Sequence, residues 1–132
     1  MRPGDPPLAA PLRAYARGLY PTEAGIELLI SHRTFLARTD FRDRFIRSDT
    51  STINPSITMA EIDWDAAITA LDTADLPCSG GEQRILRLAA SLAGGVPVDL
   101  GDTLTGLDNH NINLLIAAVL HASGRPQTPQ AP

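Results

Sequence analysis

The sequence predicts an all-α protein, a small helical bundle of about six helices with disordered termini. Three observations carry that reading. Apolar side chains recur every three to four positions in most segments, the segments end in residues suited to capping, and the packing residues are mainly Leu, Ile and Ala. Aromatic residues make up only 5% of the 132 positions, so close packing has to come from aliphatic side chains.

Taken in order, residues 1–20 read as a flexible N-terminal arm, because three prolines precede position 8 and no long apolar stretch is present. Residues 21–47 read as a helical pair. In the first helix, residues 22–37, Ile26, Leu29 and Ile30 share a face, Thr22 is placed to cap and Glu23 lies in the first turn. The second is capped by Thr39 and sets Phe41 and Phe45 one turn apart. Asp40 with Arg44 and Asp43 with Arg47 stand at i,i+4, the spacing of helix-stabilising ion pairs.

Residues 48–61 include SDTSTINPSI, which has no helical period and reads as a linker. Residues 62–124 then read as a four-helix unit. Asp63 caps the first helix, where Trp64, Ala67, Ile68 and Leu71 form a stripe, and Pro77 lies beyond its end. Ser79 and Glu82 form a capping box opening the second, whose stripe is Ile85, Leu88, Ala89 and Leu92 and whose exit is Gly94-Gly95. Asp99 caps a short third helix. The fourth starts at Asp108, is expected to bury Ile112, Leu115, Ile116, Val119 and Leu120, and closes at Gly124. Residues 125–132 read as a flexible tail.

The totals narrow the function classes. A chain of this length suits one domain, and no apolar run approaches the roughly 20 residues that span a bilayer. Cys78 is the only cysteine, which excludes an internal disulfide and a paired-cysteine metal site and fits a cytoplasmic location. Net charge is −4, divided unevenly. Residues 1–58 hold eight Arg against six acids and residues 59–132 hold three Arg against nine acids. Every basic residue is Arg. This Arg-only, Ala-rich composition resembles small uncharacterised helical proteins of GC-rich actinobacteria, a likeness that implies no activity.

A more local likeness lies in CSGGEQRILRLAASLAGG, residues 78–95, which resembles the signature motif and following helix of ABC-type ATPases; TGLD at residues 105–108 resembles their D-loop. The resemblance implies that Ser79, Gly80 and Gly81 touch a nucleotide phosphate at a helix N-terminus. The chain departs from the family at decisive places. It has no GxxxxGK[ST] phosphate loop, and Gly101-Asp102 stands where the family has its acidic pair. ATP hydrolysis is excluded, and SGGE reads mechanically as a helix cap.

Other constellations are sparse. His110 and His121 fall on one helix about 16 Å apart, too far to share a metal, and His32 is remote in sequence. Cys78 has no sequence-adjacent base. The stretch HRTFLARTDFRDRFIR offers Arg33, Arg38, Arg42, Arg44 and Arg47 among three phenylalanines, chemistry that suits phosphate contact and base stacking. Residues 100–123 can also be read as a helix-turn-helix, with Asn109, Asn111 and Asn113 near the start of a reading helix; the acidic balance of residues 59–132 opposes it. The expectation is therefore a non-enzymatic interaction protein that binds another protein or itself, with nucleic-acid binding as the alternative and no metal, cofactor or small-molecule substrate.

Overall fold

Seven helices and one two-stranded antiparallel sheet account for residues 4–50 and 56–125, the part of the chain that the computed structural model describes. The chain order is α1 (Ala9–Ala16), α2 (Tyr20–His32), α3 (Thr39–Phe45), β1 (Ile46–Thr50), β2 (Thr58–Ile62), α4 (Trp64–Asp72), α5 (Gly80–Gly94), α6 (Leu100–Thr105) and α7 (Asn109–Ala122). The all-α expectation is thus corrected: the protein is predominantly helical but mixed.

The sheet occupies both flanks of the expected linker. β1 pairs with β2 in the register Ile46↔Ile62 to Thr50↔Thr58, and Asp63 N–H adds a bond to the Phe45 carbonyl at 2.8 Å. Ile46, Ala60 and Ile62 enter the core, and by the register the other face carries Arg47, Asp49, Met59 and Glu61. Three inward residues are too few to register as an apolar period, yet they suffice once α1 covers them. A lone hairpin is marginal in water, and here α1 supplies the missing layer. Residues 51–55 of the linker lie outside the described residues.

The expected arm is likewise corrected, because α1 occupies its second half. Ala9, Leu12 and Ala16 are fully buried at i, i+3 and i+7. Pro11 sits in the first turn, where its missing N–H costs no helical bond. Arg13 holds α1 to α2 by a two-point contact with Glu27, at 2.7 and 3.0 Å, and also reaches Asp5 at 2.7 Å. The expected C-terminal tail, Arg125 apart, lies outside the described residues.

α2 begins two residues before the expected start, with Pro21 in its first turn, and ends at His32 rather than at residue 37. Arg33 closes it with φ +76°. α3 carries Phe41 and Phe45 into the core as the sequence predicts, in a chain of tilted ring contacts from Phe35 with centroids 5.2 Å apart at each step. Its N-cap is Arg38, with no side-chain cap bond, rather than Thr39. The expected intrahelical ion pairs are replaced by others. Arg44 binds Asp75 at 2.6 Å and Arg47 binds Glu61 across the hairpin at 3.2 Å, because the helix gives way to β1 before Arg47 can complete a turn.

α4 to α7 start where their caps predict. Asp63, Ser79, Asp99 and Asp108 each accept from a backbone N–H three residues on. The Ser79–Glu82 capping box is complete, with bonds of 2.7 and 3.2 Å. α2 is the central helix, packed on α1, α5 and α7, while α4 lies on α5. One buried cluster draws from α1, α2, α3, both strands, α4, α5 and α7, so the two halves of the sequence share a core. Among the described residues no helix is long and apolar enough to cross a membrane.

Candidate functional site

Two surface features stand out: an apolar helix face and a polar cleft. The face belongs to α7. The inward side of this helix is Asn111, Leu115 and Ala118, all buried, with Leu114 and Ala122 packed alongside. That leaves Ile112, Ile116, Val119 and Leu120 on the opposite side at i, i+4, i+7 and i+8. Ile116 is 51% exposed and Val119 52%, Ile112 and Leu120 are half-buried, and none of the four belongs to the buried core. The expected burial of this stripe is therefore corrected: only Leu115 of the five is inside. α7 has apolar residues all round, and the core took the side that fits between α2 and α5, accepting Asn111 in the process.

α7 contains no Asp, Glu, Lys or Arg. Its two histidines point elsewhere. His121 Nε2 meets Glu23 Oε1 of α2 at 2.7 Å, and His110 borders the cleft. The outer face is consequently uncharged as well as apolar. Single exposed aliphatics are ordinary; here two of them, one turn apart, continue into half-buried Ile112 and Leu120.

The cleft, of about 510 Å³, lies where the N-terminal ends of α5 and α7 meet the end of α2. His32 and Thr34 border it on one side, and Ser79, Gly81, Glu82, Gly106, Asp108 and Asn111 on the other. Asn111 donates its backbone N–H to the Asp108 cap at 2.8 Å. Its side chain passes beside Gly81, so that a Cβ there would lie 3.5 Å from Asn111 Nδ2. The His32 ring stacks on Phe35 with centroids 6.3 Å apart, and burial pushes its pKa below the ordinary value of 6.5, against the opposing pull of Glu82.

The residues singled out in the sequence fall as follows. Arg38 binds Asp40 and the Pro77 carbonyl, Arg42 the Leu36 carbonyl, Arg44 Asp75, and Arg47 Glu61. Arg33 is exposed and borders a separate hollow of about 370 Å³ with Arg13 and Glu27. The intervening phenylalanines are buried. Asn109 and Asn113 are exposed, but Asn111 is not. Ser79 is occupied in its capping box, with Gly80 and Gly81 following it in the first turn of α5. His32 joins this group, although sequence spacing gave no reason to place it there. Burial raises the Cys78 thiol pKa above 9.0, the opposite of activation. Among the described residues no cluster of three or more His, Cys, Asp or Glu is arranged to hold a metal ion. Comparison with family models, curated proteins and solved structures gave no match.

Proposed function

We propose that this protein is a non-catalytic interaction module that pairs with a second copy of itself through the outer face of α7. The observation that carries the reading is the uncharged stripe of Ile112, Ile116, Val119 and Leu120, half-exposed at its centre. Two copies meeting about a two-fold axis bring identical patches together. With the helices antiparallel, Ile116 lies near its own equivalent and Ile112 faces Val119 and Leu120. Because α7 has no formal charge of its own apart from its histidines, no like-charged pair arises at the centre of the contact. Association removes this apolar surface from water, the main driving force for such contacts.

Nucleic-acid binding has weaker support. Four of the five arginines that would meet phosphate are engaged with carboxylates or carbonyls, and the aromatic rings that would stack on bases are in the core.

Sedimentation equilibrium tests the proposal. The wild type is expected to show a concentration-dependent monomer–dimer equilibrium, and the double variant Ile116→Glu with Val119→Glu to remain monomeric. Since both side chains are about half exposed, the double variant should unfold within about 1 kcal/mol of the wild-type monomer. A wild type that stays monomeric at every concentration, or a double variant that dimerises equally well, refutes the reading.

A further inference from the structure

The cleft between α5 and α7 combines two kinds of hydrogen-bonding surplus. The first is donor surplus. The opening N–H groups of a helix have no partner within it, and the cap bonds here satisfy Ser79, Glu82 and Asn111, leaving those of Gly80 and Gly81 on α5 and of Asn109 and His110 on α7. The two helices are 15 and 14 residues long, and both bring the positive end of their dipoles to this one place. Arg84 adds a cation at the rim: its guanidinium packs on Gly106, where an added Cβ would collide with it.

The second is acceptor surplus. Asn111 is only 7% exposed, and its Oδ1 has no hydrogen-bond partner. Nδ1 of His32, across the cleft, likewise has no hydrogen-bond partner, and it donates or accepts according to the ring's tautomer. A buried polar atom left unpaired is costly, and both of these belong to residues that line one cleft. The carboxylates of Glu82 and Asp108 stand beside them.

Charge then selects the ligand class. Two carboxylates beside one guanidinium repel a dianion such as phosphate, while a plain cation leaves the helix ends unanswered. A molecule with both a carboxylate and an ammonium group satisfies each set. We infer that the cleft binds a small zwitterion of the α-amino-acid class, its carboxylate on the N–H groups at the two helix ends and its ammonium toward Asn111 Oδ1 and the flanking carboxylates. The open volume of about 510 Å³ leaves room for a side chain beyond these anchors.

Calorimetric titration of the full chain with each free amino acid, and with acetate, inorganic phosphate and methylammonium as single-charge probes, tests the inference. One or more amino acids should bind saturably at one site per chain, with the three probes at least about tenfold weaker, the difference made by one charge-assisted hydrogen bond. Amide NMR should place the shifts at Gly80, Gly81 and the Asn111 side chain. Gly81→Ala adds a methyl in ordinary contact with Asn111, so it should fold, and it should weaken binding by about tenfold or more. Asn111→Leu should do the same, with its melting curve as the control for folding. Absence of amino-acid binding at millimolar concentrations, probes that bind as tightly as the zwitterion, or affinity untouched by Gly81→Ala in folded protein overturns the assignment.

Discussion

At the scale of single residues, helix ends decide much of this fold, and one of them is made with an unfavourable residue. After α4 the N–H of Asp75 bonds the Ala70 carbonyl at 2.8 Å and that of Ala74 bonds the Leu71 carbonyl at 3.1 Å, the paired closure that needs a left-handed residue between. Ala74 fills that place at φ +58°. α7 closes by the same pair of bonds, from Arg125 to Leu120 and Gly124 to His121, with Gly124 at φ +77°. A left-handed alanine costs about 1–2 kcal/mol, and glycine returns about 0.4–1 of that through the freedom it adds to the unfolded chain. Ala74→Gly should therefore stabilise the protein by roughly 0.5–1 kcal/mol, read as a higher urea midpoint with unchanged slope; a lower midpoint would mean that the turn is not strained. This residue also marks what sequence can disclose. Asp63, Ser79, Asp99 and Asp108 were readable as caps because an acceptor three residues before its N–H is local information. The Ala74 closure carries no glycine to announce it.

At the scale of elements, helices were legible and their faces less so. Each of α4 to α7 was present in the apolar period, but α7 is apolar on both sides, and periodicity alone cannot say which side the core will take. Leu115 and Ala118 went in with polar Asn111, while Ile116 and Val119 stayed out. The candidate contact surface was visible in the sequence only as if it were core. The cleft is half legible, since Ser79, Glu82 and Asp108 read as capping residues, whereas His32 reaches it from α2 by tertiary packing. α1 had a signal, the spacing of Ala9, Leu12 and Ala16, hidden behind its prolines. Close helix contact leaves a clearer mark. Gly25 of α2 faces α5, and a Cβ there would lie 2.6 Å from the Ala89 carbonyl oxygen and 2.7 Å from the Ala93 Cβ. Neither neighbour is a flexible side-chain end. Gly25→Ala gains about 1 kcal/mol of helix propensity but incurs about 1–3 kcal/mol of overpacking. Packing should win, lowering the thermal midpoint while far-UV circular dichroism keeps its helical shape; a raised midpoint would show that α2 and α5 are not in close contact there.

At the scale of the whole molecule, the shifted groups act on stability from opposite ends of the pH range. His32 is held below its ordinary 6.5 by burial. Glu23 is held below 4.5 by its bond with His121 and by the Gly18 N–H, and Asp40 below 3.8 by Arg38. In each case the unfolded chain takes up a proton at a higher pH than the folded one. Their contributions are thus present above the unfolded values and lost as pH falls toward the folded ones. Cys78 is raised above 9.0 by burial and Tyr15 above 10.0 by Glu61; those contributions are present at neutral pH and lost as pH rises through the folded values. The stability plateau should lie between about pH 6.5 and 9, with His32 giving the first acid step because its unfolded value is the highest of the three depressed groups. His32→Gln removes that titration without adding charge. Thermal midpoints measured from pH 8 to 4 should decline below about 6.5 in the wild type and hold to about 4.5 in the variant. Parallel declines in the two proteins would show that His32 is not the neutral-range sensor of this fold.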